Sequence, residues 1–118
     1  MERMFRGATL FNGNVSSWDT SGATNMMDMF NSTAAFNQPL NSWNTGNVTN
    51  MSYMFEYATA FNQPLNSWDT SRVTTMNQMF RNAPAFNQDV AGWNWDTRNV
   101  KDMRSMFAGA TSFNHSLA

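Results

Sequence analysis

Acidic side chains recur at one position of a repeated pattern, and they are the first candidates for chemistry. Asp19, Asp69 and Asp96 occupy this position in three repeats, and Asn44 replaces the carboxylate in a fourth. Stacked carboxylates could share Ca²⁺, which prefers oxygen ligands. Each repeat supplies only one carboxylate, so turn formation and helix capping are the favoured interpretation of this column.

Sulfur and imidazole groups offer weaker candidates for chemistry. Thioethers of methionine can bind copper(I), but ten of the 11 methionines lie in two columns with core spacing. His115 is the only histidine, and no catalytic triad, pair of acids or set of metal ligands accompanies it. We therefore expect no catalytic residues, no enzyme activity and no cofactor.

The composition narrows the class of protein. The 118 residues suit one domain, and the net charge of −1 argues against nucleic-acid binding, which needs clustered Lys and Arg. No apolar run approaches the roughly 18–20 residues that cross a membrane, so we expect no direct membrane insertion. The chain has no cysteine, which excludes disulfides and thiol chemistry.

A repeat of 25 residues organises the chain. The pair Met-Phe begins at residues 4, 29, 54, 79 and 106, and the pair Phe-Asn at 11, 36, 61, 86 and 113, so these columns hold all ten phenylalanines. The last interval is 27 residues, because the segment "VAGWNWDT" contains two extra residues. Trp93 keeps the spacing of the repeat from the preceding Val90, and Trp95 keeps the spacing of the repeat from the following Asp96. This insertion predicts a surface bulge or, alternatively, a contact point.

The spacing within one unit predicts a helix followed by a strand. Val48, Met51, Met54, Phe55 and Ala58 recur at intervals of three and four, which is typical of one helix face. Farther along, residues 61–65 alternate apolar and polar side chains, which favours a short strand. One unit cannot bury enough surface alone, so neighbouring coils must stack. We predict an α/β solenoid of four to five coils that forms a single domain over residues 1–118.

Two further groups of residues are candidate sites. A buried asparagine amide can bond backbone groups of its own turn and the next coil, which predicts a structural ladder of Asn12, Asn37, Asn62, Asn87 and Asn114. Basic residues concentrate in the last coils, near the inserted tryptophans. They are either a solvated face or a contact patch for an acidic protein or glycan, formed by Arg81, Arg98, Lys101, Arg104, Trp93 and Trp95.

The repeated phrase "MFxxAxxFNQPLNSWDTSxVTxM" resembles the repeat of BspA-like leucine-rich repeat surface proteins, over essentially the whole chain. The resemblance implies a right-handed leucine-rich-repeat-like solenoid at a bacterial cell surface or secreted, with roles in adhesion or host-protein contact. It supplies no catalytic motif. The chain lacks an export signal, a lipidation cysteine and a wall anchor, and it stops at Leu117 and Ala118 inside a predicted strand, so we expect a fragment of a longer repeat array.

Three functions remain open at this point. The first is a scaffold that binds a protein or glycan, and the second is a structural spacer or self-assembling element whose coils stack end to end. The third is binding to a regular lattice such as ice, which we rank low because the predicted strands carry Asn, Gln and Pro in place of a threonine array.

Overall fold

The fold is a stack of repeats whose backbone consists mainly of turns. The computed structural model describes residues 1–115, so the predicted strand end at Leu117 and Ala118 lies outside the described residues. We call the five successive repeats layers: layer 1 (1–25), layer 2 (26–50), layer 3 (51–75), layer 4 (76–102) and layer 5 (103–115).

Consecutive four-residue turns form the first part of each layer. In layer 3 the N–H group of Glu56 donates to the carbonyl oxygen of Tyr53 at 3.2 Å, and that of Ala58 donates to the carbonyl oxygen of Phe55 at 3.0 Å. The N–H groups of the residues that alternate with these two donate to the next layer instead. Those of Phe55 and Tyr57 reach the carbonyl oxygens of Met79 and Arg81, both at 2.9 Å. The backbone is thus shared between local turns and contacts between layers.

A left-handed backbone conformation at two columns excludes the predicted helix. Tyr53 and Tyr57 both have φ of 58°, whereas every residue of an α-helix needs φ near −60°. The other residues with positive φ repeat these two columns: Arg3, Gly7, Asp28, Ser32, Gln78, Asn82, Ser105 and Gly109. The prediction of one helix per coil is therefore wrong.

The predicted strands are also absent from residues 1–115. Regular pairing is limited to isolated parallel bridges that join Asn25 to Asn50, Asn50 to Thr75, and Thr75 to Asp102. A bridge of one residue per layer does not make a strand, and no sheet results. The one regular element in this range is a 3₁₀ helix, Val90–Gly92. The prediction of a right-handed, leucine-rich-repeat-like α/β solenoid is therefore wrong, and the layers form a compact body of 35 × 33 × 21 Å.

Stacked aromatic rings occupy the centre of this body. Phe55 lies 5.6 Å from Phe30 in the layer before and 5.5 Å from Phe80 in the layer after, measured between ring centroids. Within its own layer Phe55 lies 4.1 Å from Phe61. All four rings are fully buried, and the same contacts recur along the stack. The repetition of the sequence thus places each phenylalanine against its own copies.

Candidate functional site

The acidic column closes small turns at the surface. Oδ1 of Asp19 accepts hydrogen bonds from the N–H group of Ser21 at 3.0 Å and from its hydroxyl at 2.6 Å. Asn44 in the next layer accepts a bond from the N–H group of Gly46 at 3.1 Å in the same way. An amide therefore replaces the carboxylate without loss of the turn, which is the ordinary Asx-turn use of either side chain.

Local hydrogen bonds also account for the acidity of this column. The side chain of Ser21 holds the pKa of Asp19 below its ordinary value, and the side chain of Ser71 does the same for the pKa of Asp69. The backbone N–H group of Arg98 lowers the pKa of Asp96. Within residues 1–115, no three His, Cys, Asp or Glu side chains gather closely enough to hold a metal ion.

The asparagine column links neighbouring layers through its side chains. Oδ1 of Asn12, Asn37 and Asn62 each accepts the backbone N–H group of the asparagine one layer later, at 2.9 Å. The bond from Asn114 to Asn87 is longer, at 3.3 Å. These residues are exposed and not buried as expected, so the ladder runs along the outside of the stack.

The residue after each asparagine reinforces the ladder, which the sequence analysis missed. Nε2 of Gln63 donates to both the carbonyl oxygen and Oδ1 of Asn37, at 3.1 Å each. His115 occupies the corresponding position in layer 5, and its Nε2 lies 3.2 Å from the carbonyl oxygen of Asn87. The single histidine therefore lies in a position where glutamine links layers. The recurrence of "FNQ" was the available signal.

The tryptophan column joins layers through the indole N–H group. In each case the acceptor is a carbonyl oxygen of the preceding layer, and each bond is 2.9 Å long. The pairs are Trp43 with Val15, Trp68 with Leu40, and Trp95 with Leu65.

The insertion in layer 4 divides the role of this tryptophan between two residues. In layer 3 the backbone N–H group of Trp68 also closes a turn onto Leu65 at 3.1 Å. In layer 4 this backbone bond is made by Trp93, to Val90 at 3.1 Å, whereas the indole bond belongs to Trp95. The Trp93 ring is thereby released from the interlayer role, and it lies 4.9 Å from the Trp95 ring at an angle of 48°.

A groove of about 610 Å³ lies beside these two rings. Val90, Trp93 and Trp95 contribute its layer 4 side, and Met103 and Phe107 contribute its layer 5 side. Among residues 1–115, layer 5 packs on the first part of layer 4, and its residues Met103 and Phe107 border the groove. The sequence pattern pointed to the two tryptophans but not to Met103 and Phe107, because Met103 and Phe107 lie in columns that are buried in the middle layers.

The basic residues of the predicted patch are mostly neutralised by carboxylates. Nε of Arg98 lies 3.0 Å from Oδ1 of Asp96, and Nη2 of Arg104 lies 2.8 Å from Oδ2 of Asp102. Lys101 is exposed and has no ion pair within the described part of the chain. The local excess of positive charge is therefore small.

Arg81 belongs to a different group, which connects layers 1 to 4. Its Nη1 lies 3.3 Å from Oε1 of the buried Glu56. Asn31 donates from Nδ2 to Oε2 of Glu56 at 3.1 Å and to Oδ1 of the buried Asp28 at 2.7 Å. Arg3 pairs with Asp28 at 3.4 Å. Arg81 is thus part of a polar network between layers and not of the groove.

Comparisons with known proteins agree with the repetition. A family described as "Mycoplasma protein of unknown function, DUF285" matches residues 1–93 and again residues 65–118. Neither a curated protein nor a solved structure is significantly similar to the chain. No helix among residues 1–115 has the length and apolar character needed to cross a membrane. Since the two matches together span every residue, the chain belongs to the DUF285 family.

Proposed function

We propose that this chain is a non-enzymatic repeat protein that binds a protein or glycan ligand in the groove beside Trp93. The observation that carries the proposal is the released Trp93 ring at an open, largely apolar groove. In the middle layers one tryptophan serves both as turn residue and as interlayer donor. In layer 4, Trp95 makes the interlayer indole bond, so Trp93 is a second tryptophan that this bond does not require.

The residue types of the groove suit a protein ligand best. Tryptophan is enriched among residues that dominate binding energy at protein interfaces, and methionine adapts its shape to irregular partners. Met103, which lines the groove, is 46% exposed. Thr97 contributes a hydroxyl-bearing side chain to the lining, which leaves few polar groups for a sugar. We therefore rank a protein segment with an apolar side chain above a glycan.

The use of the polar groups supports a non-enzymatic role. Asp19, Asp69 and Asp96 close turns, and His115 contacts the backbone of Asn87 in the ladder. These side chains are thus engaged in hydrogen bonds within the fold, and none of them lines the groove. The resemblance of the repeated motif to that of BspA-like surface proteins supports a location at a bacterial cell surface or outside the cell, and we propose that location on this basis.

Substitution of Trp93 tests the proposed site. The purified protein would be screened against a glycan array and a displayed peptide library, and the affinity of each ligand found would be measured for Trp93→Ala and for Trp18→Ala. Trp18 is a matched control because it is 39% exposed and lies in layer 1, away from the groove. We expect Trp93→Ala to weaken binding at least tenfold, which corresponds to about 1.4 kcal/mol, and Trp18→Ala to leave it unchanged.

One result would contradict the proposal, and one control is needed. Ligands that bind both variants as well as the wild type would place the binding surface elsewhere. Thermal unfolding of each variant must be compared with the wild type, because a loss of binding that accompanies unfolding says nothing about the groove.

A further inference from the structure

Each asparagine of the ladder uses only one half of its side-chain amide. Oδ1 of Asn62 accepts the backbone N–H group of Asn87 and Nε2 of Gln88, both at 2.9 Å. Oδ1 of Asn37 accepts the equivalent groups of Asn62 and Gln63, at 2.9 and 3.1 Å. The Nδ2 groups of Asn37, Asn62 and Asn87 donate to no protein group among residues 1–115. All three residues are exposed, so the fold uses the oxygen of each amide and leaves the nitrogen to the solvent.

The glutamines that follow these asparagines are used in the opposite sense. Nε2 of Gln38, Gln63 and Gln88 donates to the layer before, whereas Oε1 accepts no hydrogen bond in the described part of the chain. These oxygen atoms are not buried. An unused donor and an unused acceptor therefore recur once per layer in layers 2 to 4, and we call this arrangement the amide row. Each of these layers lies between two described layers, so the outermost layers do not create the row.

The ladder bonds alone do not explain why every layer has asparagine. A carboxylate oxygen would accept the same hydrogen bonds as Oδ1 of an amide. In the acidic column, where one oxygen also closes the turn, Asn44 and Asp69 replace each other in consecutive layers. Asp69 and Asp96 follow one another there, so neighbouring carboxylates at this spacing are tolerated. The presence of asparagine in all five layers of the ladder therefore indicates a use for its NH₂ group outside the fold.

We infer that the amide row binds a linear, uncharged polysaccharide that lies along the stack, with about one sugar unit per layer. A hydroxyl group both accepts and donates hydrogen bonds, so a sugar hydroxyl can accept from Nδ2 and donate to Oε1. Parallel backbone bridges join consecutive layers, which gives a repeat of about 5 Å along the row. One sugar unit of an extended chain is close to this length. An extended peptide rises about 3.3 Å per residue, so its groups on one side recur about every 6.6 Å and fall out of step with the layers.

The surroundings of the row favour a neutral ligand. Pro39 and Pro64 follow the first two glutamines and are exposed, so apolar ring carbons are available to the apolar face of a sugar. Asp89 takes the place of proline in layer 4, and its charge disfavours an acidic polysaccharide. The ladder bonds hold the amides in place before a ligand arrives, which lowers the entropic cost of binding. No residue of the row lines the groove beside Trp93, so the two sites are independent.

Replacement of asparagine by aspartate tests the inference, because aspartate keeps an oxygen for the ladder and replaces only the unused NH₂ group. Titration calorimetry would measure the binding of linear oligomers of glucose, mannose and N-acetylglucosamine to the wild type, to Asn62→Asp and to a triple variant with Asn37→Asp and Asn87→Asp added. Asn44→Asp is the matched control, since it adds the same charge where other layers already carry aspartate. Thermal unfolding checks that each variant is folded.

The wild type and Asn44→Asp should bind at least one of these oligomers, with an affinity that rises with chain length up to about one sugar unit per layer. Asn62→Asp should weaken binding about three- to tenfold, and the triple variant should weaken it further. A folded Trp93→Ala protein should bind as the wild type does, which separates the row from the groove.

A measurement on the wild type makes the test independent of the variants. In NMR spectra, the oligomer that binds should shift the side-chain NH₂ signals of Asn37, Asn62 and Asn87. The absence of binding to all three kinds of oligomer, unshifted NH₂ signals, equal affinities of Asn62→Asp and the wild type, or loss of binding in folded Trp93→Ala would each overturn the inference.

Discussion

At the residue scale, the indole of each middle-layer tryptophan joins two layers by a bond to a buried carbonyl group. Trp68 and the acceptor residue Leu40 are both buried. A phenylalanine ring can fill most of the space of the indole, but its side chain carries no N–H group. Loss of a donor to a buried carbonyl group costs more than the net value of an average hydrogen bond, because the acceptor then remains without a partner.

We therefore expect Trp68→Phe to lower the free energy of unfolding by about 1–3 kcal/mol. Trp18→Phe is the matched control, since Trp18 makes no indole hydrogen bond within residues 1–115 and is partly exposed. Its effect should be under about 0.5 kcal/mol, as for most surface substitutions. Urea unfolding of both variants checks the difference, and equal losses would contradict the assigned bond.

The acidic column leads to a prediction about pH. The pKa values of Asp19, Asp69 and Asp96 are lowered in the folded state, first by side-chain bonds for Asp19 and Asp69 and by a backbone N–H group for Asp96. A carboxyl group with a lowered pKa stabilises the folded state above its unfolded pKa of about 3.9. This stabilisation disappears as the pH falls through the folded pKa.

We expect the free energy of unfolding to decline below about pH 4 and to decline less in the triple variant Asp19→Asn, Asp69→Asn, Asp96→Asn. Asn44 already forms the same turn without a titratable group, so the fold accepts asparagine at this position of the repeat. Urea unfolding from pH 7 to pH 2 measures both proteins. Parallel curves would show that these carboxylates do not contribute to the acid dependence.

At the element scale, a segment of turns takes the place of the expected helix. Its backbone N–H groups donate partly to carbonyl groups of the same segment and partly to carbonyl groups of the next layer. Tyr57 has a positive φ and is partly exposed, whereas its neighbour Ala58 is fully buried and has no such φ. A left-handed conformation costs an ordinary residue roughly 1–2 kcal/mol, and glycine escapes this cost. The two adjacent positions should therefore respond differently to glycine.

Tyr57→Gly should remain within about 1 kcal/mol of the wild type, because relief of the backbone offsets the lost ring contacts. Ala58→Gly should cost about 1–2 kcal/mol, from added chain entropy and a lost buried methyl group. In a helix interior both changes would be destabilising. Chemical denaturation of the pair measures this, and a larger loss for Tyr57→Gly would argue against the turn conformation.

At the scale of the whole molecule, the layers are held by core aromatics and by hydrogen bonds that cross from one repeat to the next. The single 3₁₀ helix contains only three residues, Val90–Gly92, within the described chain. The far-ultraviolet circular dichroism spectrum, which reports secondary structure, should therefore lack the strong signal that α-helices give. A strong helical spectrum from the folded protein would contradict the turn-based backbone.

The sequence by itself determined most of the apolar core and the order of its columns, although not the exposure of the asparagine column. The columns of Met and Phe recur at a fixed period, and burial follows because each repeat must cover its neighbours. Val48, Met51, Met54, Phe55 and Ala58, identified from spacing alone, are all fully buried. The Asn, Asp and Trp columns could likewise be found by alignment of the repeats.

Only the tertiary structure decided the backbone and the groove. Spacings of three and four occur in a helix, but consecutive four-residue turns produce them as well, so periodicity could not separate the two. The residues that adopt positive φ in layer 3, Tyr53 and Tyr57, give no local signal such as glycine. The groove forms where Phe80 and Trp93 of layer 4 meet Met103 and Phe107 of layer 5. That is a contact between distant parts of the chain, and no local pattern encodes it.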